Sequence, residues 1–210
     1  MKYSTYRYIY PPRPKNAIPY DELDFWDNNT LVGQPKLNGS NTTIYTNGTK
    51  VIVMNRHNQR LSNFKISESE VLSLYRGQGW LVINGEYMNK AKNDEDGKLF
   101  NHKFVIFDIL SYNGDYLVGT TFDERISLLD ELYGKNDSEQ KYLFSITENV
   151  YRVRSYYTNF KSLFDDMTKI DMIEGLVMKR INAKLELGVV ESNNTRSQIK
   201  CRKETKNYKF

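Results

Sequence analysis

The Asn47-Gly48 dipeptide is the feature that most restricts how this chain can fold. It separates two runs rich in β-branched residues, NTTIYT and TKVIVMN. Asn-Gly is strongly preferred in two-residue hairpin turns, because both central residues of such a turn need a positive φ angle. The sequence therefore predicts an antiparallel hairpin in which the two strands are adjacent along the chain.

Further strand and helix patterns follow this hairpin. The segment TFDERISLLDELYG predicts a helix, because Thr121 and Glu124 form a capping box and Gly134 supplies the end. TNFKSLFDDMTK is a second amphipathic helix and ESEVLSLYR is a short one. The runs that predict strands are WLVINGEYM, KFVIFDIL, VYRVRSYY, MIEGLVMKR and SQIKCRK. Hairpins with helices between them, and no regular βαβ alternation, indicate an α+β fold with largely antiparallel sheets.

We expect one domain over residues 1–210, because no linker or internal repeat interrupts the chain. Residues 1–30 are predicted to be an extended lead-in, since Tyr10–Pro19 holds most of the prolines. Residues 196–210 form a basic segment within a chain whose net charge is only +4. Such a segment is commonly a solvated tail, and a phosphate-facing strip is the alternative.

Cysteine and histidine are too scarce for several classes of site. The single Cys201 excludes an intramolecular disulfide and a cysteine-rich zinc site, and it is expected to be a small buried apolar residue. Two histidines make a histidine-based metal site unfavourable. There is no apolar run of membrane-spanning length and no signal peptide, so we expect a cytoplasmic protein without membrane contact.

Charged residues within the predicted strands indicate a site. Glu86, Asp108 and Glu174 lie in otherwise apolar runs, where a carboxylate is costly unless it is paired, hydrogen-bonded or bound to metal. Lys200 and Arg202 are two residues apart and share one face of a strand. Each residue alone has a structural explanation, such as an ion pair. Regular alternation would place Lys179 on the opposite face from Glu174.

The order of these residues carries more information than any one of them. The series comprises Lys36 in KLNGSN, Arg56 in NRH, Glu86 in GEY, Phe107-Asp108 in FDI, Glu174 in EGLVMK and Lys200-x-Arg202. This series resembles the motifs of covalent nucleotidyltransferases, which include ATP-dependent DNA ligases, RNA ligases and mRNA-capping guanylyltransferases. The resemblance covers roughly residues 34–203, and the YIYPPRP and QPKLNGSN blocks are most similar to small phage-type RNA ligases.

The resemblance implies a nucleotidyltransferase (ATP-grasp-like) domain with flanking helices and no OB domain. It implies that Lys36 is the nucleophile, that Phe107 stacks on adenine and that Gln34, with the backbone around Pro35 and Gly39, reads the adenine edge. Asn38, Arg56 and Glu86 would hold ribose and phosphate, and Lys179 would be a secondary phosphate contact. Many relatives have Asp or His where this chain has Asn38, which can still hydrogen-bond to ribose but lacks their charge or basicity.

The chemistry of such a lysine follows from general principles. A lysine attacks phosphorus only when it is unprotonated, although its ordinary pKa is about 10.4. Nearby cations and desolvation depress a lysine pKa, and Lys200 and Arg202 could supply the cations. The developing negative charge requires Lys or Arg donors and a divalent cation, Mg²⁺ or Mn²⁺. Glu174 and Glu86 are the natural metal ligands, directly or through water.

We therefore predict an ATP-dependent RNA ligase that joins 5′-phosphate and 3′-hydroxyl ends through a lysyl-AMP and an adenylylated 5′ end. RNA is favoured over DNA as the substrate, and a monomer is expected. The enzymatic alternatives are an ATP-dependent DNA ligase and a GTP-dependent capping-type enzyme, the latter disfavoured by the missing OB domain. The non-enzymatic alternative is a nucleotide- or RNA-binding module that has lost turnover, which the retained Lys36 and carboxylates oppose.

Overall fold

Two β-sheets share a hydrophobic core in the computed structural model, which describes residues 1–135, 140–191 and 193–204. The smaller sheet has the order β1-β11-β10-β2. Its strands are β1 (Arg13–Ala17), β2 (Leu31–Leu37), β10 (Ile173–Arg180) and β11 (Asn194–Arg202). The neighbours pair antiparallel except for β1 and β11, which are parallel.

The larger sheet has the order β4-β3-β5-β6-β9-β8, with β7 paired to β6. Its strands are β3 (Ser40–Thr46), β4 (Val51–Asn55), β5 (Leu81–Met88), β6 (Lys103–Tyr112), β7 (Asp115–Tyr116), β8 (Leu143–Ser145) and β9 (Val150–Val153). The predicted hairpin is confirmed, because β3 and β4 pair antiparallel on either side of Asn47-Gly48. Among the described strands of this sheet only β6 and β9 pair in parallel, so the α+β prediction with largely antiparallel sheets is confirmed.

Four α-helices lie between the strands of the described chain. They are α1 (Leu23–Trp26), α2 (Glu68–Leu72), α3 (Phe122–Tyr133) and α4 (Phe160–Met167). The predicted capping box is present, since the Thr121 hydroxyl accepts from the Glu124 amide and the Glu124 carboxylate accepts from the Thr121 amide. This cap holds the first turn of α3, the turn from which Arg125 projects into the protein interior.

The connection from β2 to β3 passes from one sheet to the other at Asn38-Gly39. Lys36 is therefore the second-to-last residue of a strand of the smaller sheet, while Asn41 and Glu86 are paired neighbours in the larger one. Pro35 is tolerated in β2 because this strand is at the edge of its sheet, where a missing N–H breaks no ladder. The KLNG segment is thus a junction at which the two sheets diverge.

Two expectations about the ends of the chain need correction. Residues 1–30 are not extended throughout, because a 3₁₀ turn at Tyr20–Glu22 leads into α1. The solvated-tail interpretation is wrong for residues 196–202, which form most of β11, whereas Lys206 and Lys209 lie outside the described residues. Cys201 is buried, as predicted. In the described part of the chain, no helix has the length and apolarity needed to span a membrane.

Candidate active site

A cavity of about 640 Å³ opens between the two sheets, beside the β2–β3 junction. This volume lies within the usual range for small-molecule sites. Of the residues that the sequence analysis singled out, Asp108 does not border this cavity, whereas those predicted to take part in catalysis or to bind nucleotide or metal do: Gln34, Pro35, Lys36, Asn38, Gly39, Arg56, Glu86, Phe107, Glu174, Lys179, Lys200 and Arg202. The fold thus brings together positions that are far apart in the sequence, while their individual roles stay predictions.

The smaller sheet forms the floor of the cavity as a grid of side chains. Directly paired residues of neighbouring strands project from the same face, and the face repeats every second residue. The strand registers give three rows, Lys36–Gly175–Arg202, Gln34–Val177–Lys200 and Val32–Lys179–Gln198. The positive charge is concentrated on β11 and at Lys36, and Val177 leaves an apolar position in the middle.

A β-bulge in β10 directs Glu174 onto this floor. Ile173 pairs with Leu37 and Gly175 pairs with Lys36, so Glu174 is an extra residue opposite a regular strand. No side chain fits at Gly175, where a Cβ would lie 2.0 Å from the carbonyl oxygen of Cys201. The expectation that Lys179 lies on the opposite face from Glu174 is therefore wrong, because the bulge shifts the alternation by one residue.

Glu174 forms ion pairs with two of the cations on the floor, Lys36 and Arg202. One carboxylate oxygen contacts the Lys36 Nζ, and the other accepts from the Arg202 guanidinium at 2.8 Å. The Glu174 side chain is 13% exposed and the Lys36 side chain 23%, so the pair is shielded from solvent yet reachable from the cavity. This arrangement holds Lys36 in one position and places a proton acceptor against its nitrogen.

Lys200 adds a further cation to the same surface. Burial lowers its pKa from the ordinary value, and repulsion from Lys36 and Arg202 acts in the same direction. Concentrated positive charge of this kind is unfavourable until an anion enters. The floor is therefore suited to a phosphate-bearing ligand.

The opposite wall comes from the larger sheet and contains Glu86. Its carboxylate accepts a hydrogen bond from the Gly39 amide at 3.2 Å, which ties β5 to the β2–β3 junction. Only glycine fits at position 39, because a Cβ there would lie 2.5 Å from the carbonyl oxygen of Tyr87. Burial raises the pKa of Glu86 to about 7, partly offset by the positive charge of Lys36. Arg56 is exposed at the rim of the same wall.

Phe107 faces the cavity from β6 at a second bulge. Asn84 pairs with Asp108 and Gly85 with Ile106, which leaves Phe107 as the extra residue. The Lys179 Nζ lies 4.8 Å from the centre of the Phe107 ring and 4.4 Å from that of Phe122. Burial lowers the pKa of Lys179 to about 8. Phe107 offers an aromatic face at this end of the cavity, and Val177 offers an apolar contact on the floor.

Asp108 has a different environment from the other two strand carboxylates. It accepts two hydrogen bonds from Arg125 of α3, at 2.7 and 3.2 Å, and both side chains are almost fully buried. Asp108 does not border the cavity. It therefore has the structural role of a buried ion pair.

Gln34 is buried on the floor with its amide in a defined orientation. Its Nε2 donates to the Ser155 hydroxyl at 3.1 Å, whereas its Oε1 has no hydrogen-bond partner among the described residues. Ser155 is fixed beside β2 because Gly33 and Tyr156 exchange two backbone hydrogen bonds, at 2.7 and 2.9 Å. A buried acceptor without a partner is costly unless a ligand supplies the donor.

The carboxylates that border the cavity suit a hard divalent cation such as Mg²⁺ or Mn²⁺. Glu174 and Glu86 are the carboxylates that border it, and no cluster of three His, Cys, Asp or Glu suited to a metal occurs in the described residues. Mg²⁺ usually takes one or two protein carboxylates and completes its shell with water and phosphate oxygens. These two residues fit that pattern, and a zinc-type site does not.

Several residues of the site escaped the sequence analysis. Val177, Gln198 and Arg13 border the cavity, and Ser155 supports it from behind Gln34. Alternation in SQIKCR would have found Gln198, since it shares a strand face with Lys200 and Arg202. No local pattern marks Ser155, because its position depends on the pairing of Tyr156 with Gly33.

The sequence matches one protein family, and the structure resembles solved structures that share one fold. Residues 29–201 match the family described as RNA ligase. The structure resembles a mycobacterial DNA ligase D complexed with ATP and MES, with a TM-score of 0.65 and 16% identity over 92% of this chain and 60% of the other. It also resembles the ligase domain of M. tuberculosis LigD, with a TM-score of 0.61 and 16% identity over 92% of this chain and 59% of the other.

A third similar structure belongs to the Lig E DNA ligases, with a TM-score of 0.53 and 16% identity over 83% of this chain and 62% of the other. No curated protein matches the sequence. This chain spans about three fifths of the length of these solved structures. At 16% identity, the likeness establishes a shared fold: mixed α and β, with largely antiparallel sheets.

Proposed function

Because this chain belongs to the RNA ligase family, we propose that it is an ATP-dependent polynucleotide ligase that acts through a lysyl-AMP on Lys36. One observation carries the proposal. Lys36 contacts Glu174 inside a cavity that also contains Lys200, Arg202 and an aromatic face. A solvated strand lysine would need none of these neighbours. The combination supports a nucleophile, an acceptor for its proton, cations for phosphate and a surface for a base.

The first step of the proposed reaction transfers AMP to the protein. The Lys36 nitrogen forms a bond to the α-phosphorus of ATP, the bond from that phosphorus to the pyrophosphate oxygen breaks, and a proton leaves the nitrogen. Glu174 is the acceptor next to that proton. Lys200 and Arg202 would stabilise the charge that builds up on the phosphate oxygens, where donors fixed in advance are most effective.

The remaining groups hold the nucleotide. Phe107 and Val177 would enclose the base, Asn38, Arg56 and Glu86 would contact the ribose and phosphates, and Lys179 would act as a secondary phosphate contact. Mg²⁺ held by Glu174 and Glu86 would neutralise charge on the departing pyrophosphate. The AMP would then pass to a 5′-phosphate, and a 3′-hydroxyl would displace it to complete the joint.

Incubation with α-labelled ATP and Mg²⁺ tests the first step. Wild-type protein should acquire label that survives a denaturing gel, and Lys36→Ala should acquire none, because alanine has no nucleophile. Lys50→Ala is the matched control, since Lys50 is an exposed lysine outside the cavity. A wild-type protein that never takes label, or a Lys36→Ala protein that does, would contradict the proposal.

RNA is proposed as the preferred substrate on the basis of the family match, although two of the similar structures described above are a DNA ligase D and a Lig E DNA ligase. A comparison with pre-adenylylated 5′ ends isolates the joining step from the labelling step. We expect faster sealing of nicks with RNA ends than of all-DNA nicks. Faster sealing of all-DNA nicks would be consistent with a ligase but would identify DNA as its preferred substrate.

A further inference from the structure

We infer that His57 and Glu191 are positioning residues that hold the guanidinium of Arg56 at the rim of the cavity. The inference rests on the proposed function, from which it takes the contact between Arg56 and the ribose or phosphates of ATP. It adds two residues that fix the direction of this contact before ATP enters. The proposed reaction gives neither of them a role.

The three side chains form a chain of hydrogen bonds. The Arg56 Nε donates to the His57 Nε2 at 3.0 Å, and the His57 Nδ1 lies 2.8 Å from a carboxylate oxygen of Glu191. An arginine has donors only, so the Nε2 of the imidazole must accept. A neutral imidazole that accepts at Nε2 has its proton at Nδ1, and this proton is donated to the carboxylate. Each hydrogen bond in the chain therefore has one direction.

This arrangement leaves the terminal nitrogens of Arg56 for a ligand. Arg56 and His57 both border the cavity. Arg56 is also near Glu86, whose pKa is raised mainly by burial and is lowered in part by the charge of Arg56. Within the described residues, the hydrogen bond of Arg56 comes from its Nε, which sets the plane of the guanidinium. The two terminal nitrogens then form a fork of the kind that binds phosphate oxygens.

The backbone around Arg56 and His57 is held independently of their side chains. Both residues lie in the turn after β4, where the Asn55 Oδ1 accepts from the amides of His57 and Gln59 at 2.9 and 3.0 Å. Asn58 has a φ of 59°, a left-handed conformation that asparagine tolerates. Removal of the imidazole would therefore preserve the turn and release the guanidinium.

Glu191 reaches the rim from the other side of the cavity. It precedes β11 of the smaller sheet, whereas His57 follows β4 of the larger one. The Arg13 Nη2 donates to the carbonyl oxygen of Glu191 at 2.6 Å, which fixes the backbone at this residue. The side chains of His57 and Glu191 are 46% and 61% exposed, so the effect of each on binding should be moderate.

Equilibrium binding of ATP to single and double variants at pH 8 tests the inference. Arg56→Ala should weaken binding about tenfold or more, and His57→Ala about fivefold, because one hydrogen bond of ordinary strength no longer holds the guanidinium. In the Arg56→Ala background, His57→Ala should alter the affinity less than about twofold. Arg60→Ala is the matched control, since Arg60 is an exposed arginine close in sequence that does not border the cavity.

Two further substitutions of His57 separate positioning from the filling of space. His57→Gln keeps an acceptor for the Arg56 Nε and should retain most of the affinity. His57→Leu keeps the bulk without an acceptor and should bind ATP as weakly as His57→Ala. If Arg56→Ala binds ATP like wild type, if His57→Ala has the same effect in both backgrounds, or if leucine restores binding as well as glutamine, the inference is wrong.

The role of Glu191 is tested at the imidazole itself. Nitrogen NMR distinguishes a protonated ring nitrogen from an unprotonated one, and at pH 8 the wild-type His57 should have its proton at Nδ1. Glu191→Ala should allow the proton to move to Nε2 in part of the molecules and should weaken ATP binding about twofold, because Nε2 then no longer accepts from Arg56. A wild-type ring with its proton at Nε2, or one unchanged by Glu191→Ala, would contradict the role of Glu191.

Binding and label transfer together distinguish this inference from the proposed function. Coupled effects of His57 and Arg56 on ATP binding, without any label on Lys36, would refute the ligase and leave the positioning role in place. Label on Lys36 together with independent effects of His57 and Arg56 on ATP binding would refute the positioning role and leave the ligase in place.

Discussion

Glu174 and Asp108 are both carboxylates in otherwise apolar strands, yet they occupy opposite kinds of environment. Asp108 is 1% exposed and its charge is matched by Arg125, which is 4% exposed. Glu174 is 13% exposed and binds two cations that both face the cavity. Neither Asp108 nor Arg125 borders the cavity of about 640 Å³, whereas Glu174 and both of its partners do.

The difference shows that burial and pairing alone do not identify a functional acid. Both carboxylates are paired, and in both cases the partner is distant in sequence. What separates them is the direction in which the backbone aims the side chain. At Glu174 a bulge turns the carboxylate toward the cavity, whereas Asp108 points at a helix whose cap and first turn fix Arg125.

The largest expected effect comes from breaking the buried pair. Asp108→Ala leaves the Arg125 guanidinium buried without its counter-ion, and the free energy of unfolding should fall by about 3–5 kcal/mol. Urea denaturation measures the change. Asp108→Leu combined with Arg125→Met should recover most of the stability, because an apolar pair of similar volume replaces the buried ions without leaving a charge. If Asp108→Ala is as stable as wild type, the pair has no structural role.

Glu174→Gln should show the opposite profile. The amide keeps the size of the side chain but cannot hold the charge of Lys36 or take its proton, so label transfer from ATP should fall about a hundredfold or more. The free energy of unfolding should change by about 1 kcal/mol or less, because the cluster borders the cavity, from which water can reach the charges that the substitution leaves. Glu131→Gln is the matched control at an exposed glutamate. If Glu174→Gln strongly destabilises the protein and leaves label transfer unchanged, Glu174 has a structural role like that of Asp108.

Much of the fold follows from local patterns, and the site follows only in part. The hairpin around Asn47-Gly48 and helix α3 with its Thr121–Glu124 box depend on neighbours in sequence, and the structure confirms both. The side of β10 on which Lys179 lies was predicted wrongly. A bulge adds one residue between Ile173 and Gly175, where β11 lies too close for a side chain at Gly175, and the apolar pattern of β10 alone reveals neither feature.

The sequence also does not show that Asp108 and Glu174 lie in different environments. FVIFD and MIEGLV look equivalent as apolar runs with one acid. Arg125 appears only as one polar residue of a helix, and its pairing with Asp108 depends on how α3 packs against β6. Ser155 illustrates the same limit, since its contact with Gln34 joins residues 121 positions apart. Tertiary register decides such cases, and single-sequence periodicity does not contain it.

Titration of Glu86 is expected to give the smallest effect. The environment of this third carboxylate is intermediate between the buried ion pair of Asp108 and the cavity-facing cluster of Glu174. Burial raises its pKa from 4.5 to about 7, and its hydrogen bond comes from the Gly39 amide rather than from a cation. Between these two values the folded protein holds a proton that the unfolded chain has released. The contribution of Glu86 to stability is therefore greatest below pH 4.5, declines as the pH rises to about 7 and is constant above that.

Unfolding measured from pH 4.5 to pH 8 in wild type and Glu86→Gln tests this behaviour. The glutamine cannot titrate, so the wild-type stability relative to the variant should fall on the order of 2 kcal/mol across this range. A difference that stays constant with pH would show that Glu86 is already ionised throughout, as an acid beside a firmly held cation would be. The proposed role of Glu86 in holding metal or ribose requires the ionised carboxylate, so label transfer in wild type should rise as the pH passes about 7. If stability falls and label transfer rises over the same pH range, both changes are assigned to the ionisation of Glu86. Ionisation would then destabilise the fold and allow the cavity to bind its ligand.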